Sequence, residues 1–285
     1  MRSYQPIEPT AFGPTRRVGP GMVVVLVVAH LVLKAVFFSQ WFLREVALPI
    51  ESATRGLITP DALAGSIQLV LLVMLGVVVC CGMSPSELGL RRPGAMRSLT
   101  VIAIIFTGAW LGCALLGATM STPNGLRPAA ATGLVLEATV GSALGEELFY
   151  RGFLLSQVFL FLRQKRGCWT SGRTLVVALA SVQVYFALNH LPAAMRAGLS
   201  AETATLWLLH AALVGAMFAV LFLHTGSLVL SIGAHALLNL SIPFLDSPVD
   251  PALLVLVLVC IAMLAGPWLF SRETGVLRTS LARAA

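Results

Sequence analysis

The feature that most constrains this chain is a series of apolar runs, each about as long as a bilayer is thick. A helix needs about 20 apolar residues to cross a membrane, and such runs recur along nearly the whole sequence. Hydrophobic residues make up 58% of the 285 residues and charged residues only 11%, whereas a soluble domain carries about 25% charged residues. The chain has too few polar side chains to cover a water-soluble surface, so we expect a polytopic membrane protein.

The runs predict an all-α membrane bundle of about eight transmembrane helices, because a membrane-spanning backbone must satisfy its own hydrogen bonds. The apolar runs cover residues 21–43, 64–83, 99–120, 134–162, 173–192, 203–223, 227–245 and 251–270. Four regions are expected: a flexible tail over 1–20, two N-terminal helices over 21–83, a core over 84–245, and a last helix with a tail over 246–285.

The distribution of Lys and Arg predicts the orientation. With the N-terminus inside, the segments on the cytoplasmic side hold thirteen Lys and Arg residues, and those on the opposite side hold four. Cytoplasmic loops of membrane proteins carry such an excess, so we expect both termini in the cytoplasm of a bacterium, with the helices in its inner (plasma) membrane. The net charge of +7 then reflects basic loops beside anionic lipids, and no nucleic-acid partner is expected.

Charged residues inside the fourth run mark the first candidate site. An ionised side chain at the centre of a span costs on the order of 2.5–3.5 kcal/mol, so Glu146, Glu147 and Arg151 must face the bundle interior or a wet cavity. Glu147 and Arg151 lie four residues apart and can pair on one helix face. Glu146 is rotated from them by about 100° and is free for another task. The alternative is an ion pair that only joins helices.

Two later runs each carry a histidine near a second informative residue. The fifth run ends with Phe186 and His190 on one face, and we expect Pro192 to break the helix just after the histidine. The seventh run contains His235 and Asn239, four residues apart and therefore on one face. The alternative to a catalytic role is structural. His190 would then form hydrogen bonds at the membrane interface, and the His–Asn pair would join helices.

Taken together, these residues supply the parts of a hydrolytic site. A carboxylate beside a neutral imidazole can activate water as a general base, and a second imidazole with a carboxamide can donate to a developing oxyanion. The set has no obvious side-chain nucleophile, so the pattern predicts attack by water on an acyl bond inside the membrane. Ionisable residues in spans also suit an ion or proton carrier, although no internal repeat of the kind common in transporters is evident.

Other polar residues within the runs are expected to have structural roles. Lys34, which shares a face with His30, can extend its ammonium group towards the membrane interface. Glu137 lies near the end of its run, where solvation is easy. The remaining histidines, His210 and His224, are expected to lie away from the site.

With these motifs the sequence resembles the CPBP family, which comprises the CAAX proteases and bacteriocin-processing enzymes. The family motifs are two glutamates separated by three residues from an arginine, an aromatic residue separated by three from a histidine, and a histidine separated by three from an asparagine. The matching residues are, in order, Glu146, Glu147, Arg151, Phe186, His190, His235 and Asn239. The resemblance covers about residues 85–245, and segment 87–92 looks like the loop that precedes the family's core.

The resemblance implies an intramembrane endopeptidase of the CAAX type, with its site in a cavity between helices. By similarity, Glu146 would activate water with the help of His190. The oxyanion hole would be formed by His235 and Asn239, and the glutamate–arginine pair beside Glu146 would support the site.

The resemblance also implies the partners. The substrate would be a membrane-associated protein or peptide, prenylated or anchored at its C-terminus and cut near that end, and the lipid bilayer is the other partner. No cofactor is expected, because the family's residue set also works as a glutamate-dependent protease without metal. A zinc metalloprotease is the alternative, with Glu146, His190 and His235 as ligands, although no HExxH helix is present. The non-enzymatic alternatives are a bacteriocin-immunity or scaffold protein and an ion or proton carrier.

Overall fold

The computed structural model describes residues 15–120, 128–165, 171–240, 245–246 and 249–269. Within these ranges the chain is a bundle of helices, which confirms the all-α expectation. The α-helices are α1 (Pro20–Phe37), α2 (Leu48–Ala53), α3 (Pro60–Gln68), α4 (Arg92–Leu115), α5 (Pro128–Leu136), α6 (Leu155–Lys165), α7 (Ser171–Leu188), α8 (Leu191–Arg196), α9 (Ala201–Thr225), α10 (Leu228–Leu240) and α11 (Pro251–Leu269). Residues 1–14 and 270–285, which hold most of the two predicted tails, lie outside the described residues.

Wider π-helical turns alternate with these helices. In the described ranges they are π1 (Phe42–Ala47), π2 (Leu69–Cys80), π3 (Glu137–Leu144) and π4 (Glu147–Leu154). Segment π2 extends α3, and π3 and π4 connect α5 to α6, so that one continuous helix runs over residues 128–165. Two short strands, β1 (Thr119–Met120) and β2 (Leu245–Asp246), pair antiparallel and connect the ends of α4 and α10.

The structure has a helix at each of the eight predicted positions. In the described part of the chain, five helical stretches are long and apolar enough to cross a membrane. They are Pro20–Phe37, Pro60–Cys80, Gly94–Leu115, Gly172–Arg196 and Ala201–Thr225. The apolar helices Leu228–Leu240 and Pro251–Gly266 are shorter. The integral membrane bundle is therefore supported, while the count of eight crossings stays a prediction.

Local capping explains where two of the helices begin and end. The hydroxyl of Thr59 accepts a hydrogen bond from the Ala62 N–H at 3.1 Å, which caps the start of α3. Ser200 caps α9 in the same way through the Thr203 N–H at 3.2 Å. Helix α9 ends at Gly226, whose φ of 67° is left-handed and favours glycine.

The buried apolar residues of the described ranges form two large neighbouring cores and a small cluster of Phe37, Phe42 and Ala47. The larger one is centred on the aromatic residues of π4 and packs against α1, π2, α7 and α9. The second lies between α4, α9, α10 and α11. Because π4 is buried along its whole length, the charged motif sits at the centre of the bundle.

Helix α3 crosses π3 through a contact between glycines. A Cβ on Gly65 would overlap the carbonyl oxygen of Gly141, so the two backbones touch. On the same face, the Thr59 hydroxyl donates to Glu137 Oε2 at 2.6 Å. Only residues without a side chain permit so close an approach, and this crossing forms one wall of the cavity described below.

The end of the predicted N-terminal tail is held against the bundle. The Val18 N–H donates to Gln157 Oε1 at 2.8 Å, and Gln157 Nε2 donates to the Arg16 carbonyl at 3.1 Å. Arg16 Nε also pairs with Glu87 Oε1 at 3.1 Å. Within the tail predicted over 1–20, residues 16 and 18 are thus docked rather than flexible, because a buried glutamine supplies both partners of an extended backbone.

Glu87 anchors this docked segment from the turn before α4. Its carboxylate accepts hydrogen bonds from the Ser84 N–H at 2.8 Å and from the Arg16 N–H at 3.1 Å. Burial by itself raises the pKa of Glu87, but the hydrogen bonds from Ser84 and Arg16 outweigh it, and its pKa is held below the ordinary value.

Candidate active site

The helix over residues 128–165 carries the glutamate motif, and we call it the motif helix. It alternates between π-helical and α-helical turns at the charged residues. Gly145 and Glu146 lie between the π-helical segments π3 and π4. Such turns are rare and frequently occur at functional sites. Every residue of π4 is buried, so the side chains of Glu147 and Arg151 are carried into the interior of the bundle.

Glu147 and Arg151 form an ion pair that water does not reach. Arg151 Nη1 lies 3.1 Å from Glu147 Oε1, and both side chains have no exposed surface. Arg151 Nη2 also donates to the Gly215 carbonyl on α9 at 2.8 Å, and its guanidinium lies 4.5 Å from the ring centroid of Phe186 on α7. The pair therefore joins three helices. A buried charge left without such partners would cost several kcal/mol.

His235, on α10, is bonded to the same glutamate. Its Nδ1 lies 3.0 Å from Glu147 Oε1, and its ring stacks on Phe218 at 4.8 Å between centroids. A carboxylate oxygen can only accept, so Nδ1 carries the proton. In the neutral ring Nε2 then has a free lone pair, and it lies 4.0 Å from Glu146 Oε2. The contact between His235 and Glu147 joins the first and third sequence motifs, and the spacing within each motif did not predict it.

In His190, as in His235, Nδ1 is occupied and Nε2 has a free lone pair. Its Nδ1 lies 2.9 Å from the Phe186 carbonyl oxygen, which can only accept, so Nε2 of the neutral ring is a hydrogen-bond acceptor. The ring packs edge-on against Phe186 at 4.7 Å and Trp207 at 6.1 Å. The expectation that Pro192 breaks the helix after the histidine is wrong. Helix α7 ends at Leu188, and Pro192 lies in the first turn of α8, where its missing N–H costs nothing.

Asn239 lies one turn beyond His235 on α10. Its Nδ2 donates to the Ser142 hydroxyl on π3 at 3.1 Å. Because an amide nitrogen carries two hydrogens, one N–H remains for another acceptor. Asn239 is thus hydrogen-bonded to the helix that carries the two glutamates.

A single cavity brings the four proposed catalytic residues together. It has a volume of about 760 Å³ and is lined by Glu146, His190, His235 and Asn239. Among the described residues, Glu146 accepts no hydrogen bond, whereas Glu147 forms an ion pair with Arg151 and accepts a hydrogen bond from His235. The two adjacent glutamates therefore differ: Glu147 is held by buried partners, and Glu146 lines the cavity.

Lys34 is the cavity residue that sequence reasoning missed. We expected its ammonium group to extend to the membrane interface, but it lines the cavity and lies 3.9 Å from Glu146 Oε1. The cost of an ionised group in a span was the signal that it needs a partner, yet the sequence does not show which helices pack together. His30, on the same helix, is buried elsewhere and lies 2.7 Å from the Tyr185 hydroxyl through Nδ1.

Two further residues expected away from the site also reach the cavity. His210 on α9 and Glu137 on π3 both line its wall. Glu137 keeps its bond from Thr59, as described above, and is therefore not a free carboxylate.

The zinc alternative finds little support in the arrangement of ligands. Both imidazoles direct Nε2 away from their Nδ1 partners, which a metal would also require. However, no three His, Cys, Asp or Glu side chains in the described part of the chain are gathered closely enough to hold a metal ion. The suggested set of Glu146, His190 and His235 does not form a ligand shell.

Comparison with known families gives one match. Residues 127–241 match the family model described as type II CAAX prenyl endopeptidase Rce1-like. The match covers 115 of the 285 residues, called the Rce1-like domain from here on, and supports a CAAX-type protease family. No curated protein and no solved structure matches the chain.

The Rce1-like domain contains all three motifs, from Glu146 to Asn239. It begins later than the resemblance over residues 85–245 suggested, since the turn that holds Glu87 precedes it. Lys34 also lies outside the domain, on α1, so the N-terminal helix adds a charged group to the domain's cavity.

Proposed function

We propose that this chain is an intramembrane endopeptidase that cuts a peptide bond near the C-terminus of a membrane-associated protein or peptide, with water activated by Glu146. The Rce1-like domain supports the reaction class. The observation that carries the mechanism is the contrast between the two glutamates. Glu147 is engaged by Arg151 and His235, whereas Glu146 faces the cavity without a hydrogen bond from any described residue.

In the proposed first step, Glu146 removes a proton from a water molecule as the water oxygen attacks the carbonyl carbon of the scissile bond. The lone pair on Nε2 of neutral His190 accepts a hydrogen bond from the second O–H of that water and so orients the water molecule. A carboxylate with an oriented water is the arrangement that general-base catalysis needs. In the second step the protonated Glu146 delivers its proton to the departing amine nitrogen as the C–N bond breaks. The remaining hydrogen of the water passes from the new carboxyl group to the released amine, so the products are a carboxylate and an ammonium group.

The tetrahedral oxyanion requires hydrogen-bond donors. Asn239 has one free N–H for this purpose. His235 can donate from Nε2 only when its ring carries a second proton, because Nδ1–H is already held by Glu147. We therefore propose that His235 acts as an imidazolium, with Glu147 as its counter-ion. A donor of this kind contributes about 10²–10³-fold to the rate.

The reaction is proposed to need no metal, and the test separates this point from the protease assignment. Purified full-length protein is incubated with fluorogenic peptides in H₂¹⁸O, before and after exhaustive removal of metals by a chelator that does not inhibit. The proposal expects cleavage in both samples, with one ¹⁸O atom in the new carboxylate. Activity lost on chelation and restored by stoichiometric zinc would overturn the metal-free mechanism alone.

Three arms of the assay address the substrate and the alternatives. Matched peptides with and without a prenylated cysteine show whether a lipid anchor is required. A bacteriocin-immunity or scaffold protein would cleave neither peptide, and an ion or proton carrier would instead dissipate an ion gradient in liposomes.

The location of the protein is proposed from its charge distribution. The excess of Lys and Arg in alternate loops supports cytoplasmic N- and C-termini, and the membrane is proposed to be a bacterial inner membrane. Reporter fusions test this orientation, and a fusion at residue 168 that reports an external position would contradict it. Neither nucleic acid nor any partner other than the substrate and the bilayer is proposed.

A further inference from the structure

Contacts between distant segments define one end of the bundle. There the chain before α1 is tied to the turn before α4, through the ion pair of Arg16 with Glu87. The start of α10 reaches the same turn, where the Leu228 N–H donates to the Gly89 carbonyl at 3.3 Å. We call this the N-terminal end of the bundle, because the docked segment over residues 16–18 lies there.

The cavity lies at the opposite end of the bundle. Its lining comes from the last turn of α1, from α3, from the first half of the motif helix, from the end of α7, from the first two thirds of α9, from the second half of α10 and from the start of α11. The strands that follow α4 and α10 pair with each other beyond these helices. The helices therefore run alternately between the N-terminal end and this second end, which we call the cavity end.

Buried side chains close the cavity towards the N-terminal end. Phe149 and Phe153, which follow Glu146 on the motif helix, have no exposed surface, and neither does the ion pair of Glu147 with Arg151. In the described part of the chain, no residue of π4 lines the cavity. Because packed interiors leave few voids, a peptide has no route to Glu146 through this core.

Charged residues mark the opening of the cavity. Asp61, Arg196 and Asp250 line it and are exposed. All three lie at the ends of their helices or beside them, at the cavity end of the bundle. Exposed ionised side chains are stable in water and costly in hydrocarbon. The cavity therefore opens to water at the cavity end.

Basic residues are concentrated at the N-terminal end. Of the described Lys and Arg residues other than Lys34 and Arg151, eight lie at the N-terminal end and three at the cavity end. The eight are Arg16, Arg17, Arg91, Arg92, Arg97, Arg163, Lys165 and Arg173, and the three are Arg44, Arg55 and Arg196. The cytoplasmic side of a membrane protein carries such an excess. The N-terminal end is then cytoplasmic, and the cavity opens on the other side.

We propose that the cavity receives its substrate from the non-cytoplasmic side of the membrane, so that the substrate is an exported protein that stays attached to the bilayer near its C-terminus. This inference rests on the proposed function. Protein translocation across the membrane must come before the cleavage, and the products are released on the non-cytoplasmic side. A protein anchored only in the cytoplasmic leaflet would have to pass through the packed core of π4 to reach Glu146.

Thiol labelling from one side of the membrane tests where the cavity opens. The five native cysteines of the full-length protein are replaced by alanine, and one new cysteine is introduced. Ala64→Cys places a thiol in the cavity wall, and Arg17→Cys places one on the exposed surface of the N-terminal end. A membrane-impermeant maleimide is expected to label Ala64→Cys only in right-side-out vesicles of a bacterial host. Arg17→Cys should be labelled only in inverted vesicles.

Met74→Cys is the matched control for Ala64→Cys, because both positions lie on the helical stretch Pro60–Cys80. Met74 is exposed but does not line the cavity, so the new thiol would face lipid. Maleimides react with the thiolate, which forms in water. This variant should stay unlabelled in both kinds of vesicle, and all three variants should be labelled equally after denaturation.

Cleavage from one side of the membrane tests where the substrate enters. A fluorogenic peptide that is too polar to cross the membrane is added to vesicles that contain the wild-type protein. Right-side-out vesicles should cleave it, whereas inverted vesicles should cleave it only after detergent opens them. Vesicles with Glu146→Gln give the background rate.

Three outcomes would overturn the inference: labelling of Ala64→Cys in inverted vesicles, labelling of Arg17→Cys in right-side-out vesicles, or cleavage by intact inverted vesicles. Failure of the proposed function gives a different result. The labelling pattern would be as expected, because it does not depend on activity, but no Glu146-dependent cleavage would occur even in detergent. That result would remove the substrate and leave only the direction in which the cavity opens.

Discussion

The ammonium group of Lys34 lies 3.9 Å from the carboxylate of Glu146, although the two residues are 112 positions apart in the sequence. With the Glu147–Arg151 pair, the two adjacent glutamates are each matched by one cation. The cluster is therefore electrically balanced before His235 takes up the second proton that we propose for its role in catalysis. Balance of this kind is what allows four ionisable side chains to remain inside a membrane bundle.

The buried pair predicts a large effect on stability. Arg151→Met leaves Glu147 without its cation. Removing one partner of a buried ion pair lowers the free energy of unfolding by about 3–5 kcal/mol. Chemical unfolding in detergent should show this loss, whereas Arg44→Met, at an exposed position, should change stability by about 0.5 kcal/mol or less. The double variant Arg151→Met with Glu147→Leu should recover part of the loss. An Arg151→Met protein as stable as the wild type would contradict the pairing.

The bond between Glu147 and His235 predicts a tautomer. In Glu147→Gln the amide N–H₂ can donate to Nδ1, which moves the ring proton to Nε2. The variant has no carboxylate to stabilise the imidazolium form of His235, so the oxyanion would receive only the weaker hydrogen bond of a neutral Nε2–H, and we expect kcat to fall by about 10-fold. Nitrogen-15 NMR of labelled histidine should show the proton on Nδ1 in the wild type and on Nε2 in the variant. Unchanged spectra and unchanged activity would remove Glu147 from the site.

The glycine contact predicts sensitivity to a single methyl group. Gly65→Ala places a Cβ against the Gly141 carbonyl oxygen, so α3 must move away from π3 at a cost of about 1–3 kcal/mol. Gly21→Ala is the matched control, because nothing lies within 4 Å of its added Cβ. Thermal unfolding and activity measured together should both fall in the first variant and be retained in the second. Equal stability of the two variants would argue against the crossing.

Glu87 predicts a pH effect on the docked N-terminal segment. Its folded pKa lies below the ordinary value of 4.5, so its contribution is present above that pH and is lost as pH falls through the folded value. The protection factor of the Val18 N–H, which is the intrinsic exchange rate at each pH divided by the observed rate, should therefore fall at acid pH. Glu87→Gln should show the lower protection factor already at pH 7, and trypsin should cut the variant more rapidly at Arg16. A protection factor that depends on neither pH nor the substitution would contradict the contact.

The sequence predicted the pairing within one helix and the existence of a shared cavity, and it missed the specific contacts between helices. The pairing of Glu147 with Arg151 follows from their spacing, and the costs of burial indicated a shared cavity. The contacts of Lys34 with Glu146 and of His235 with Glu147 could not be predicted, because spacing within a helix says nothing about which helix lies beside it. The π-helical turns around Glu146 were missed for a related reason, since apolar periodicity in a fully buried helix does not reveal its winding.

Glu146 is proposed to be the base that activates water, and a pair of glutamate substitutions tests this role. Glu146→Gln keeps the size of the side chain and removes its basicity, while Glu137→Gln makes the same change at a second glutamate on the same cavity wall. The measurement is kcat for a cleaved peptide with folded, purified protein. We expect kcat to fall by at least about 10²-fold in Glu146→Gln and to stay near the wild-type value in Glu137→Gln. Full activity in Glu146→Gln would contradict the mechanism.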